Sequence, residues 1–154
     1  MPGSDGPPGP ATPGNLSPFA NYFTVTSQTT DLNDPVLVDE EGDSSGEITY
    51  LAGVYTVPLA GYYLIDLTIN TFAGPGSGPV FQFEGVMNGV SPVPQLSLRA
   101  THTVAGDNSG TVVMTASAIV FFNAGDTFQV TNTSPTSPSV VVERMYITFV
   151  RIFT

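Results

Sequence analysis

The fold class of this chain is decided by residues 53–72, GVYTVPLAGYYLIDLTINTF. This stretch holds two runs rich in aromatic and β-branched residues, separated by a turn at 58–61. In the second run the apolar residues of one face alternate with a mixed set, and that apolar face is formed by Tyr63, Ile65, Leu67 and Ile69. Because side chains alternate between the two faces of a strand, the pattern predicts a strand with one buried face.

The rest of the chain from Phe19 onward is also predicted to be built of strands. No segment shows sustained helical periodicity, and Gly, Pro, Asn and Thr recur at short intervals. Ten strands joined by turns, with no helices between them, predict an all-β sandwich or barrel. The predicted strands are 21–26, 36–38, 48–51, 54–57, 62–72, 80–88, 96–104, 111–122, 127–131 and 140–153.

The last predicted strand, 140–153, is long and apolar on both faces. Such a strand is typical of the centre of a sheet, or of a sheet whose second face packs against another subunit. Arg144 and Arg151 lie in this strand. Because an unpaired charge among apolar residues is costly, we predict that one of them pairs with an acidic group, across a subunit interface.

The composition indicates one ordinary domain and excludes several functions. The 154 residues are 41% hydrophobic and 10% charged, which is enough apolar sequence for a core. Three arginines face thirteen carboxylates, and the net charge is −10. A nucleic-acid binder needs a basic surface, which this chain lacks, and anionic membranes are disfavoured for the same reason. We therefore expect no nucleic-acid partner.

The sequence also gives an expectation about location. No apolar run approaches the ~20 residues of a membrane span, so no membrane insertion is expected. Cysteine is absent, which excludes disulfides and thiolate chemistry. The low charge density favours an extracellular or surface-exposed protein, and the missing disulfides favour a bacterial cell or spore surface, or a virion, over an animal secreted domain.

Residues 1–14 differ in kind from the rest of the chain. They include three Gly-X-Y triplets beginning at Gly3, Gly6 and Gly9, and the register fails at Thr12. Glycine at every third position is what a collagen triple helix requires. Two interpretations stand: the stub of a collagen-like stalk, or a flexible Pro/Gly linker or tag. We divide the chain into a collagen-like stub and linker, 1–14, and a globular head, 15–154.

The spacing around residues 55–67 resembles the signature of the complement component 1q and tumour necrosis factor superfamily. It consists of Tyr55, five residues, Gly61, one residue, Tyr63, and apolar residues at Ile65 and Leu67. The Gly-Asp turn within 121–130 and the aromatic-rich last strand are similar to the family's late strands. A collagen stub followed at once by such a head is similar to complement component 1q and to collagen-like bacterial surface proteins of the exosporium type.

This resemblance implies a ten-stranded jelly-roll sandwich that assembles as a tight homotrimer. Together with the two-faced last strand, it predicts a set of core or trimer-interface residues. The set is Tyr55, Gly61, Tyr63, Arg144, Tyr146, Phe149, Arg151 and Phe153.

The sequence offers little support for an enzyme. Residues 42–46 satisfy the Gly-x-Ser-x-Gly pattern around Ser44, but that motif works only between a strand and a helix. Here an acidic loop precedes it and a strand is predicted to follow, so a polar surface turn is the better interpretation. The one histidine, His102, lies in an alternating stretch and is interpreted as an ordinary strand residue. We predict that the protein is not an enzyme.

Residues 31–47 carry seven of the thirteen carboxylates. A solvated acidic loop is one interpretation. The other is a calcium site, because Ca²⁺ prefers carboxylate and carbonyl oxygens. Its candidate ligands are Asp39, Glu40, Glu41 and Asp43. No other cofactor is expected. Asn15 and Asn132 match the glycosylation sequon.

The predicted function is a non-enzymatic trimerising head of a collagen-like surface protein. It would set the register of the stalk and present an outer tip for structural or adhesive contacts. The expected partner is a second and third copy of the chain, with a surface protein or a glycan as further ligands. The alternative is the receptor-binding tip of a phage or viral fibre.

Overall fold

The structure is a computed structural model that describes residues 18–74, 79–102, 109–136 and 139–153. The stub 1–14 and Asn15 lie outside the described residues. Within these ranges no helix has the length and apolar character needed to cross a membrane. The strands are β1 (Phe19–Phe23), β2 (Gln28–Asp31), β3 (Glu40–Ser44), β4 (Thr49–Leu51), β5 (Val54–Thr56), β6 (Gly61–Ala73), β7 (Val80–Met87), β8 (Ser91–Thr101), β9 (Gly110–Phe122), β10 (Thr127–Asn132) and β11 (Ser139–Phe153).

These strands form two antiparallel sheets packed face to face. Sheet A has the order β3-β1-β11-β6-β9, with β2 paired to β11 beyond β1. Sheet B has the order β4-β5-β10-β7-β8. One hydrophobic core lies between the sheets. The prediction of an all-β sandwich is confirmed.

Strand β6 is an interior strand of sheet A, between β11 and the edge strand β9. Its buried residues Tyr63, Ile65, Leu67 and Ile69 are at most 1% exposed and face sheet B. The alternate residues face away from the core, as the period of two requires. The sequence pattern therefore identified this long interior strand and its buried face.

The structure corrects several predicted strand boundaries. Residues 36–38 are not a strand, and β2 and β3 lie on either side of them. The acidic segment was predicted as a loop, yet residues 40–44 form the edge strand β3 beside β1. Charged side chains are common on edge strands because they oppose pairing with other chains. The prediction of a polar turn at 42–46 is therefore wrong for 42–44, which belong to that strand.

Strand β11 contains two β-bulges, which the sequence pattern did not reveal. Its register with β6 shifts between Val142 and Arg144 and again between Arg151 and Phe153. Each bulge inserts one residue and so exchanges the faces of the residues that follow. As a result Met145 points into the core, and Phe153 lies opposite Tyr62 on the outside of sheet A.

The core contains a group of interlocking aromatic rings. Tyr55 is fully buried, and its ring centroid lies 5.2 Å from that of Tyr22, 5.0 Å from Tyr50 and 5.1 Å from Phe149. Burial, with a smaller effect of the Glu41 charge, raises the pKa of Tyr22 to about 12. The Tyr22 hydroxyl donates to the Ile48 carbonyl at 2.7 Å. These rings join strands of both sheets across the core.

Asp126 joins two neighbouring turns. Its carboxylate accepts the Asn123 backbone N–H at 2.7 Å and the Asn88 side-chain N–H at 3.0 Å. These hydrogen bonds hold the pKa of Asp126 below its usual value, and the bond from the Asn123 backbone has the largest effect. Folding lowers the pKa of this carboxyl, so its ionised form stabilises the fold at pH values above the unfolded pKa. That stabilisation is lost as the pH falls through the folded pKa.

We therefore expect Asp126→Ala to be destabilising at pH 7 and less so at pH 3. Urea unfolding midpoints of the parent and the variant at both pH values measure this difference. Asp43→Ala, which removes an exposed carboxylate from β3, is the control and should lower the midpoint at pH 7 less than Asp126→Ala does. An equal loss of stability for Asp126→Ala at pH 3 and pH 7 would contradict the role assigned to the carboxylate.

Candidate assembly surface

Sheet A has a second face, which points away from sheet B and which we call the open face. The antiparallel register aligns its residues into six rows across β9, β6, β11 and the flanking strands. Counted from the Gly61 end of β6, the rows are Phe121–Tyr62–Phe153; Ile119–Leu64–Val150–Phe19; Ser117–Asp66–Thr148–Asn21; Thr115–Thr68–Tyr146–Phe23; Val113–Asn70–Arg144; and Thr111–Phe72–Val141–Thr29.

The first two rows are apolar and uncovered. Phe153 is 64% exposed and Ile119 is 59% exposed. Tyr62 and Phe121 are each 45% exposed, and their ring centroids lie 5.1 Å apart in an edge-on arrangement. Contiguous apolar side chains of this size on a protein surface mark interaction sites.

The third row, which we call the polar row, consists of Ser117, Asp66, Thr148 and Asn21. It separates the two apolar rows from the aromatic side chains of the fourth row. Asp66 is exposed and lies on β6, between Ser117 and Thr148. It is the only carboxylate in the polar row; elsewhere on this face Glu40 lies opposite Phe23, and the Glu143 carboxylate accepts a hydrogen bond from the Thr111 hydroxyl at 2.7 Å.

Aromatic and aliphatic side chains continue on the other side of the polar row. The rings of Phe23 and Tyr146 stack with their centroids 6.1 Å apart. Together with Arg144 they line a shallow pocket of about 220 Å³. Beyond it, Val113 is 59% exposed and Phe72 is 40% exposed. The open face thus has exposed apolar side chains at both ends, and at this end they are mixed with polar ones.

The outward face of sheet B has a different character. Its neighbouring strands place Gln82 opposite Arg99 and Glu84 opposite Ser97. Gln129 extends this polar surface on β10. Because the two faces of the sandwich differ in this way, the open face of sheet A is the better candidate for contact with another protein surface.

The predicted core or interface residues fall into three groups. Tyr55, Tyr63 and Phe149 are 0% exposed and lie in the core. Tyr146, Arg144 and Phe153 lie on the open face. The remaining two, Gly61 and Arg151, lie at the end of sheet A, where the Arg151 guanidinium donates two hydrogen bonds to the Ala60 carbonyl, at 2.7 and 3.1 Å. The pairing of Arg144 or Arg151 with an acidic group across an interface stays a prediction.

The four candidate calcium ligands are not brought together as a ligand set. In the described parts of the chain no three His, Cys, Asp or Glu side chains form a group suited to a metal ion. Asp39 instead accepts the backbone N–H groups of Val25 and Thr26, at 2.7 and 3.0 Å. Glu40 and Glu41 are consecutive on β3, so their side chains leave the strand on opposite faces. Asp39, Glu40 and Glu41, but not Asp43, border a pocket of about 450 Å³ together with Tyr22 and Tyr50.

The candidate catalytic residues are far apart in the fold. Ser44 ends β3 at the edge of sheet A, and its hydroxyl donates to the Glu41 carboxylate. His102 follows β8, the edge strand of the other sheet, and is 7% exposed. Of the two sequons, Asn132 is fully buried, and its side chain donates to the Thr30 carbonyl at 2.9 Å. In the folded chain Asn132 is therefore not accessible to a glycosylating enzyme.

Sequence reasoning missed the apolar residues that β6 and β9 contribute to the open face: Tyr62, Leu64, Ile119 and Phe121. The signal for two of them was the run 118–122, AIVFF, in which both faces of the strand are apolar. The same signal in β11 did lead to the prediction of a subunit contact.

Comparison with solved structures places this sandwich among known folds. The globular domain of zebrafish complement 1qA protein aligns with a TM-score of 0.65 at 13% identity, over 89% of this chain and 99% of that chain. The Eiger TNF structure from S. frugiperda aligns with a TM-score of 0.67 at 15% identity, over 89% and 92% of the two chains. No family model and no curated protein matches the sequence. The chain has the jelly-roll fold of the complement 1q and tumour necrosis factor superfamily, and the resemblance noted in the sequence is confirmed at the level of the fold.

Proposed function

We propose that this chain is the trimerising head of a collagen-like surface protein and that three copies assemble through the open face of sheet A. The observation that carries the proposal is the cluster of exposed apolar side chains in the first two rows, around Ile119 and Tyr62. Covering them with a second copy removes a large apolar area from water, which favours association.

The number of copies is suggested by the sequence that precedes the sandwich. The triplets of residues 3–11 end shortly before β1 begins at Phe19. A collagen helix contains three chains, so a head attached to such a segment has to hold three chains together. A trimer therefore fits both the open face and the glycine pattern.

The role that follows is mechanical. Three chains must meet in register before a collagen helix forms, and heads that assemble first raise the local concentration of the attached segments. The outward face of sheet B stays free in such an assembly and provides the tip for structural or adhesive contacts with a surface protein or glycan. We place the protein outside the cell or on its surface and assign it no catalytic role.

The charge of the chain is compatible with this assembly. A trimer carries three times the −10 charge of one chain, but the Debye length is only about 8 Å at 0.15 M salt. Most carboxylates on different copies are therefore screened from one another. The acidic β3 lies at the edge of sheet A, away from the apolar rows on β6 and β9.

Ile119→Asp should convert the trimer to monomers. The parent should have about three times the 16.1 kDa mass of one chain in light scattering at micromolar concentration. The substitution places a charge among Leu64 and Val150, where the assembled state offers no water to solvate it. Sedimentation equilibrium should show a fall in the association constant of at least about a hundredfold, because burying an unpaired carboxylate costs several kcal/mol.

The matched control is Val90→Asp, since Val90 is 80% exposed in the turn between β7 and β8. This variant adds the same charge on the sheet B side of the sandwich and should remain a trimer. A monomeric parent would rule out the proposed function. A trimeric Ile119→Asp variant with unchanged affinity would place the contact elsewhere on the molecule.

A further inference from the structure

Asp66 is the carboxylate of the polar row, which crosses the open face between apolar side chains on either side. It lies on the interior strand β6, with the edge strand β9 on one side and β11 on the other. Toward the Gly61 end of β6 the next row holds Leu64, Ile119 and Val150. Toward the other end lie Thr68 and the Phe23–Tyr146 aromatic pair. Any contact that covers both the first two rows and the Phe23–Tyr146 pair also covers Asp66.

The groups that face Asp66 within the chain are neutral. Ser117 on β9 and Thr148 on β11 are its partners in the ladder. The residues diagonal to it are Thr115 and Ile119 on β9 and Tyr146 and Val150 on β11, and of these only Tyr146 is titratable. The nearest cation of this face is Arg144, which lies opposite Asn70. Asn70 is four residues from Asp66, so the Cα atoms of these two residues are about 13 Å apart along β6. No hydrogen bond or ion pair to the Asp66 carboxylate occurs among the described residues.

We propose that Asp66 takes up a proton when three copies assemble, so that proton binding drives trimer formation. This inference rests on the proposed trimer through the open face. A carboxylate moved from water into a covered, weakly polar surface is costly in its charged form, while the neutral acid can bond to hydroxyls such as those of Ser117 and Thr148. Assembly therefore favours the protonated form, and separated copies release the proton.

The sign and the size of the effect follow from linkage. Because the assembled state holds more protons, association strengthens as pH falls and weakens as pH rises. Each proton taken up changes the association constant about tenfold per pH unit, and three copies change it up to about a thousandfold per pH unit. Such a dependence would let mildly acidic surroundings lock the head and neutral or alkaline surroundings loosen it.

Asp66→Asn tests the inference because asparagine keeps the size and hydrogen-bonding capacity of the carboxyl but has no proton to bind. Trimer association constants are measured by sedimentation equilibrium between pH 5 and pH 8, with EDTA present in one series. We expect the parent to show a negative slope against pH, and the variant to show a flatter slope and tighter association at pH 8.

Glu84→Gln is the matched control. Glu84 lies on the outward face of sheet B, so this variant loses the same charge away from the open face and should keep the parent's slope. If its slope flattens as much as that of Asp66→Asn, general charge repulsion explains the pH dependence and the proposal is wrong.

Two other outcomes would also overturn it. Association that strengthens with pH and is weakened by Asp66→Asn would show a pair between Asp66 and a cation such as Arg144 of another copy. Association that weakens when EDTA is added would show a bound metal instead of a proton. A chain that is monomeric at every pH refutes the proposed trimer itself, whereas a trimer with the same affinity from pH 5 to pH 8 refutes only the role of Asp66.

Discussion

Tyr63→Ala should lower the free energy of unfolding by about 3–5 kcal/mol, the range for deleting a large buried side chain. Tyr63 is 0% exposed, and its ring meets that of Phe122 edge to face with the centroids 5.7 Å apart. Neighbouring strands hold both rings in place, because Tyr63 pairs with Val120 on β9 and with Arg151 on β11. The cavity left by alanine cannot close without moving strands on both sides. Urea unfolding of the full chain measures the loss.

Tyr63→Phe separates the ring from the hydroxyl. It removes only the hydrogen bond from the Tyr63 hydroxyl to the Leu59 carbonyl, which is 2.9 Å long. That change should cost about 1 kcal/mol, the usual net value of one hydrogen bond. If Tyr63→Ala retains the parent's melting temperature, Tyr63 does not support the core in the way its burial indicates.

The core face of β6 was predictable because the signal is local. Alternation of apolar residues depends only on the two-residue period of a strand, and 63–69 carry it without interruption. The acidic strand β3 gave no such signal. Its sequence EEGDS has no apolar face, and it forms a strand only because its backbone pairs with β1 at the sheet edge.

The bulges of β11 show a second limit of sequence patterns. Without them Phe153 would share a face with Phe149, and the sequence was interpreted in that way. A bulge is a property of the register between two strands, here β11 and β6, and not of either sequence alone. The face on which Phe153 lies therefore required the structure.

The open face was only half predictable. The apolar second face of 140–153 predicted a subunit contact, and Tyr146 was named for that reason. The contributions of Ile119 and Phe121 were missed because an apolar side chain has the same sequence signature in a core and at an interface. Whether it is covered depends on which sheet lies above it, and sheet B covers only the opposite face.

Gly61→Ala should cost about 2–5 kcal/mol, since it adds a steric clash to an unfavourable backbone conformation. Gly61 has φ = 150°, a conformation that residues with a Cβ rarely adopt. A Cβ at this position would lie 2.3 Å from the Phe153 carbonyl oxygen and 2.8 Å from Nε of Arg151. The carbonyl belongs to the backbone of β11, so it cannot avoid the methyl group by a side-chain rotation.

Gly89→Ala is the matched control because Gly89 also has a positive φ, 71°, but a Cβ there would meet no atom within 4 Å beyond its chain neighbours. That variant should cost only about 1 kcal/mol, the price of the left-handed conformation. Urea unfolding compares the two variants, and sedimentation compares their assembly. Because the clash displaces the end of β11, Gly61→Ala should also shift Phe153 and weaken the trimer, while Gly89→Ala should not. Equal losses of stability in the two variants would mean that the backbone at the end of β11 moves aside at little cost. In that case it does not fix Phe153 on the open face.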